Sequence, residues 1–207
     1  VQDRPCIVCA AQLESGGLAD AIIGVGKTAA ALHTTRLLLT RRPAWVLLIG
    51  VCGAYAGSGL AVGGLCLVAD DRLADEGVAL REGGFLALAE LGLGDTGPFA
   101  ADPLRTAEAA RRLGAPIVRG ATVSSCSGSD ELAAALAGRS GAQVETMEGA
   151  AVLQVCRELG VPAVQLRCVS NLCGERARGG WDLEGAVAQL HASVRALAKA
   201  YGWEGIQ

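Results

Sequence analysis

Glu145-Thr146-Met147-Glu148-Gly149-Ala150-Ala151 is the stretch on which the reading of this chain turns. Two of its carboxylates precede an apolar run of small residues, Ala150 to Leu159, that Gly160 and Pro162 close. Glycine and proline at that spacing stop a helix, so the pattern predicts a helix beginning near Met147. The helical period sets Met147, Ala151 and Val155 on an inward face and Gln154, Arg157 and Glu158 outward. A glutamate in the first turn sits at the positive end of the helix dipole, which by itself accounts for Glu148 as a helix-start residue. Directly afterwards, Ala163 to Ser170 reads as a core strand ending at Asn171. A helix that feeds a buried strand is the unit of a layered α/β fold.

The alternation continues in both directions. Cys6 to Ala11 reads as a buried first strand followed by Leu13-Glu14-Ser15, and Ala21 to Gly26 leads into a helix from Lys27 to about Arg41, stopped by Pro43. Trp45 to Gly50 is a continuous hydrophobic run, as in a central strand covered on both faces. The glycines from Gly50 to Gly59 predict a loop whose backbone passes close to a ligand. Leu65 to Ala69 is a further strand, ending in the acidic patch Asp70, Asp71, Asp75 and Glu76, and Gly83 to Pro98 reads as an irregular connection. Leu104 to Leu113 has helical spacing, Ile117 to Ser124 is a strand entering a serine-rich turn, and Asp130 to Ala137 makes a short helix. Leu183, Val187, Leu190, Val194, Leu197 and Tyr201 mark a final amphipathic helix with Gly202 as its stop. The expectation is a single α/β domain over residues 1–207, with a central mixed sheet between layers of helices.

Composition bounds the function classes. Hydrophobic residues make up 51% and charged ones 19% of 207 residues, so the chain has apolar surface to bury and is not a disordered one. Its apolar runs are short and broken, which argues against a membrane span, and no basic segment leads a long apolar run as in a secretory signal. A net charge of −3 argues against a general nucleic-acid or membrane-surface role. Of the eight cysteines, Cys6 and Cys9 form a C-x-x-C, but on a strand residues three apart face opposite sides and do not chelate one ion. With only His33 and His191 available, a zinc or Cys-His site lacks parts. The cysteines therefore read as buried small hydrophobes of a reducing cytoplasm, with no metal.

Two motifs mislead. Gly26-Lys27-Thr28 ends like a phosphate-binding loop, but the glycine required five positions earlier is Ala21, so the cradle of backbone N–H groups is incomplete. Lys27 reads instead as a helix-start residue. The cluster around Ser127 lacks the leading glycine of a nucleophile elbow.

Met147-Glu148-Gly149-Ala150-Ala151 resembles the signature of the purine nucleoside phosphorylase and nucleosidase superfamily, and the resemblance runs from Ile7 to about Leu190. Cys9 to Glu14, Gly24 to Ala30 and Gly50-Val51-Cys52-Gly53 resemble its first strand and two glycine motifs. Asp75-Glu76-Gly77-Val78, Gly84 to Leu88, and Ser170-Asn171-Leu172-Cys173-Gly174-Glu175-Arg176 look like the futalosine hydrolase family in particular. The resemblance implies a three-layer phosphorylase/hydrolase-like fold and a nucleosidase of menaquinone biosynthesis that splits futalosine into hypoxanthine and dehypoxanthine futalosine. It implies no cofactor, and a homo-oligomer, a dimer or a multiple of dimers, because sites of the superfamily borrow residues across a dimer interface. Carried over residue by residue, Glu14 activates water, Glu148 binds the ribose hydroxyls, and Met147, Gly53, Ser127, Gly128 and Phe85 contact substrate. Arg176, with Arg178, faces the carboxylate of the substrate's tail.

The chemistry of these residues can be weighed on its own. Cleaving an N-glycosidic bond passes through an oxocarbenium-like state and needs a base for water on one face and help for the leaving group on the other. Glu14 and Asn171 both lie where strands end, which is where open α/β sheets bind ligands. Adenine-cleaving relatives carry Asp where Asn171 stands. An amide offers N–H to a 6-oxo group and an oxygen to a protonated N7, which suits hypoxanthine. Adenine would leave a buried donor unpaired, at a cost of roughly 1–3 kcal/mol. A phosphorylase needs cationic contacts to phosphate, and the strand Val46 to Gly50 carries no arginine, so water is the expected nucleophile. The rival readings are a methylthioadenosine or adenosylhomocysteine nucleosidase, a 6-oxopurine nucleoside phosphorylase, and a nucleoside-binding module without turnover.

Overall fold

The computed structural model describes residues 4–81, 84–175 and 180–206. In chain order the elements are β1 (Cys6–Cys9), α1 (Gln12–Ser15), β2 (Ala21–Ile22), α2 (Lys27–Arg41), β3 (Val46–Ala54), β4 (Leu65–Leu73), β5 (Gly77–Ala79) and β6 (Phe85–Ala87). They continue with β7 (Phe99–Ala100), α3 (Pro103–Leu113), β8 (Ile117–Thr122), α4 (Asp130–Ser140), β9 (Val144–Thr146), α5 (Gly149–Glu158), β10 (Ala163–Leu172) and α6 (Leu183–Tyr201). The α/β class with a mixed central sheet is as the sequence implied. The order along the sheet is β10-β4-β8-β9-β3-β1-β2, and β10 also pairs with β3. That second pairing closes β3, β10, β4, β8 and β9 into a ring. Cys52, Ala54, Cys66, Val68, Val118, Val144 and Val169, drawn from all five strands, fill its inside.

The helices cover two faces. Leu190, Val194 and Leu197 of α6, with Ala109 and Ala110 of α3, pack on Ile7, Leu47, Ile49 and Leu166. Each such aliphatic side chain contributes about 1.5–3 kcal/mol by leaving water. On the other face α2 and α5 meet Val8, Val46 and Leu48. Cys9 belongs to the first cluster and Cys6 to the second, so the C-x-x-C pair does face opposite sides of β1. The helix ends follow local chemistry: Asp102 accepts from Arg105 N, Ser129 from Leu132 N and Asp182 from Gly185 N. Gly202 ends α6 at φ 72°.

Several expectations need correction. α5 starts at Gly149, two residues later than the pattern suggested: Glu148 is its N-cap residue and Met147 lies in the preceding bend rather than on a helix face. Val155 is only half-buried, and the buried face runs through Val152, Leu153 and Cys156. The glycines Gly50 and Gly53 belong to β3, not to a loop, because the close approach they permit is between side chains and strand. β1 ends at Cys9, and β4 extends to Leu73, so Asp70 and Asp71 are strand residues. Part of Gly83 to Pro98 pairs as the hairpin β5–β6.

Candidate active site

Glu14 occupies the third position of α1, from which its side chain turns back toward the end of β1. Oε2 accepts from the backbone N–H groups of Ala10 and Ala11, both at 3.1 Å, and Oε1 accepts from Val51 N–H at 3.0 Å. The carboxylate is 5% exposed, so it is not a solvated turn residue. Its backbone is tied to α6, where His191 Nε2 lies 2.8 Å from the Glu14 carbonyl. A Cβ on Gly50 would meet Oε1 of Glu14 at 2.9 Å and would run into the Arg167 guanidinium.

Glu148 is also buried, and Oε1 accepts from Gly26 N–H at 2.9 Å. Gly26 precedes α2, whose first turn thus turns its dipole toward this carboxylate. Lys27 at the first position of α2 is unfavourable there, but it is paired to Asp75 at 2.6 Å and Glu76 at 3.0 Å. Burial raises the Glu148 pKa, with Arg167 opposing the shift and the nearby Glu14 charge adding to it.

Asn171 owes its place to an irregularity of β10. The register against β3 slips between Val169 and Asn171, so Ser170 is the extra residue of a bulge. Ser170 Oγ donates toward Asn171 Oδ1 at 2.9 Å, and Asn171 Nδ2 donates to Leu172 O at 3.2 Å. Gly53 makes room for this: a Cβ there would lie 2.6 Å from Cys173 Sγ and 3.2 Å from Asn171 Nδ2.

These elements surround one hollow of about 370 Å³. Its wall contains Glu14, Gly53, Ser127, Gly128, Met147, Glu148 and Asn171, all named by the sequence. Phe85 is not among them. It stacks under Arg139, 4.1 Å from ring centre to guanidinium, in a separate cavity with Arg72 and Thr96, because the β5–β6 hairpin carries it away from the hollow of its own chain. Arg176 and Arg178 lie outside the described residues.

Two residues of the site were missed. Glu145 faces the hollow and accepts from Ser127 N–H at 2.9 Å, Ser127 Oγ at 2.5 Å and Tyr55 Oη at 3.0 Å, which fixes the serine-rich turn over the site. Arg167, 1% exposed in the middle of β10, donates from Nη1 to Val51 O at 3.3 Å, while Nε and Nη2 have no hydrogen-bond partner among the described residues. A charged residue inside a continuous hydrophobic strand was the available signal. Arg167 stands behind Gly50 and so reaches the strand on which no arginine was found. It does not line the hollow, whose described wall holds three carboxylates and no lysine or arginine.

The family described as Phosphorylase superfamily matches residues 9–201. The futalosine hydrolase of Thermus thermophilus is 39% identical over 186 residues, 86% of this chain and 80% of the relative. The chain belongs to the futalosine hydrolase family. The futalosine hydrolase of Acidothermus cellulolyticus is 36% identical over 191 residues, covering 89% of this chain and 76% of the relative. In this family the fold is shared more widely than the sequence. A futalosine hydrolase mutant of Helicobacter pylori superposes with a TM-score of 0.78 at 21% identity, covering 94% of this chain and 97% of the other. A methylthioadenosine/adenosylhomocysteine nucleosidase from S. pneumoniae superposes at 0.79 with 19% identity, covering 94% and 98%.

Among the described residues no group of three or more His, Cys, Asp or Glu side chains is placed to hold a metal, and no helix is long and apolar enough to cross a membrane.

Proposed function

We propose that this chain hydrolyses the N-glycosidic bond of futalosine, releasing hypoxanthine and dehypoxanthine futalosine in menaquinone biosynthesis. The observation that carries the reading is the meeting of Glu14, Glu148 and Asn171 in the wall of one nucleoside-sized hollow. Glu14, oriented by three backbone N–H groups, takes a proton from a water as its oxygen attacks the anomeric carbon. The C–N bond breaks with its electron pair going to the purine, and positive charge builds on the sugar. Glu148 accepts hydrogen bonds from the ribose hydroxyls and places negative potential beside that charge. Asn171 donates to the 6-oxo group and accepts from N7–H. It has no acidic proton, so the proton on N7 comes from solvent. Met147 packs on the sugar or base, Ser127 and Gly128 close over it, and the reaction as drawn uses neither metal nor cofactor.

Water rather than phosphate is the nucleophile because the described wall offers a phosphate dianion three carboxylates and no cation. Arg167 is nearby but lies behind Gly50 and does not line the hollow. Arg176 and Arg178 are proposed for the tail's carboxylate, since they fall between Gly174 and Trp181, both of which line the hollow. Leu13, Val25, Leu172 and Trp181 in the same wall are 52%, 58%, 57% and 47% exposed, which supports a homo-oligomer whose second copy covers the mouth. A cytoplasmic setting is supported by eight cysteines that form no disulfide.

Purified protein is to be offered futalosine, inosine and methylthioadenosine, each with and without phosphate, and base release followed by chromatography. Hypoxanthine from futalosine without phosphate is the expected result. A phosphate requirement or release of adenine overturns the reading, and sedimentation analysis tests the oligomer.

A further inference from the structure

Asp71, part of the acidic patch that follows the fourth strand's apolar run, is completely buried beneath the bend that carries Glu148. Its carboxylate gathers Thr122 Oγ1 at 2.9 Å, Thr146 Oγ1 at 3.1 Å and Gln165 Nε2 at 3.0 Å. Thr122 Oγ1 in turn accepts from Ala150 N–H at 2.8 Å. Thr146 is two residues before Glu148 and Ala150 is two residues after it, so one carboxylate pins both flanks of the Met147-Glu148 bend.

The direction of these bonds matters. An ionised carboxylate only accepts, so the two threonine protons are spent within the cluster, on Asp71 and across the 2.8 Å contact between the two hydroxyls, and the Thr122 oxygen keeps a lone pair for Ala150 N–H. A donor at position 71 would compete with that arrangement. The neighbouring glycines fit the same device: a Cβ on Gly149 or Gly120 would run into the Asp71 carboxylate, and one on Gly149 would also collide with Gln165 Oε1. The glycine of the Met-Glu-Gly-Ala stretch is therefore required by Asp71 and Gln165 below it.

We propose that Asp71 is a positioning residue for the sugar half of the substrate, acting on Glu148 through Thr122 and Thr146 and leaving the base half untouched. This rests on the reading of Glu148 as the ribose ligand. The test is Asp71→Asn, measured for kcat on futalosine and, by calorimetry, for binding of inosine and of free hypoxanthine. The expected result is a tenfold or greater loss in kcat and a matching loss in inosine affinity, with hypoxanthine affinity unchanged. Combined with Glu148→Gln, Asp71→Asn is expected to add no further loss, because its effect is routed through that side chain. Wild-type kcat in Asp71→Asn, an equal loss of hypoxanthine binding, or multiplicative losses in the double variant would overturn it. If Asp71→Asn does not fold, Thr122→Val is expected to show the same split and Thr122→Ser to restore wild-type values; failure of that pair overturns the proposal equally. Absence of futalosine turnover in the wild type speaks against the proposed function, whereas the inosine-to-hypoxanthine contrast is read without turnover.

Discussion

The backbone N–H of Gly26 donates to Oε1 of Glu148 at 2.9 Å, joining residues 122 apart in sequence. The glycine that looked like the end of a phosphate loop thus aims a helix N-terminus at a carboxylate of the protein itself. The contact holds Glu148, which lines the hollow. Glu148→Gln keeps the shape and an acceptor oxygen but removes the charge that opposes the developing cation. Turnover is expected to fall about 10²–10³-fold with the fold retained, since the Gln oxygen still accepts from Gly26 N–H. Steady-state kinetics beside a melting curve checks this, and wild-type kcat would remove Glu148 from the mechanism.

Glu14 is held by the same means, with Ala10, Ala11 and Val51 as donors. Replacing it with Gln turns one acceptor oxygen into an amide donor facing backbone N–H groups, so some loss of stability accompanies the loss of base. A general base contributes about 10²–10⁴-fold, and kcat for Glu14→Gln should drop by that order. A drop smaller than tenfold at saturating futalosine would show that another group activates water.

Arg167 makes a sharper pH prediction. Burial raises the Glu148 pKa and Arg167 is the first influence lowering it. Arg167→Met keeps most of the side chain's bulk while removing the charge, so the Glu148 pKa moves up further. In the proposed mechanism activity needs ionised Glu148 and is lost as pH falls through that pKa. The acidic limb of the kcat/KM profile should therefore shift to higher pH in Arg167→Met, as read from rates between about pH 4.5 and pH 8. An unchanged limb would show that Arg167 does not set the charge of Glu148.

Much of this arrangement was legible from periodicity and strand ends. Lys27–Arg41 and Leu183–Tyr201 are bounded by residues that cap or stop helices, and Glu14 and Asn171 stand near the ends of strands that alternate with them. What escaped was contact across the sheet. Nothing near Gly26 in sequence announces Glu148, and nothing near Asp71 announces Thr122, Thr146 and Gln165. The bulge at Ser170 depends on the partner strand, and a one-residue slip leaves no local signature. Phe85 was assigned by resemblance alone, and the hairpin that carries it has a geometry that no short motif records.

Asp71 predicts how stability varies with pH. Burial pushes its pKa up to about 6, against the bonds from Gln165 and Thr122, the Arg167 charge and the bond from Thr146. A carboxyl with a higher pKa folded than unfolded binds its proton more tightly in the native state. Stability is therefore greatest below the unfolded value and declines as pH rises toward and through about 6. The rise of roughly two pKa units corresponds to about 3 kcal/mol. Relative to Asp71→Asn, the wild type should lose about that much stability between about pH 4 and pH 7, measured by denaturant unfolding at each pH. A difference between the two that does not vary with pH would show that Asp71 does not titrate in this window.

In the proposed mechanism Asn171 selects the base that leaves. Ser170 Oγ lies 2.9 Å from Oδ1, an arrangement that turns Nδ2 to the other side. Asn171→Asp replaces the amide donor with an acceptor, which repels a 6-oxo oxygen but receives the protons of a 6-amino group, and which can bring a proton to N7. Hydrolysis of futalosine should fall at least tenfold, in line with the roughly 1–3 kcal/mol of a mispaired buried polar group. Adenine release from methylthioadenosine should rise above the wild-type background. Chromatographic base release from both substrates, run on both proteins, reads the two changes together. If Asn171→Asp still cleaves futalosine at the wild-type rate and leaves methylthioadenosine untouched, selection of the base lies elsewhere, and the bulge at Ser170 serves the sheet rather than the purine.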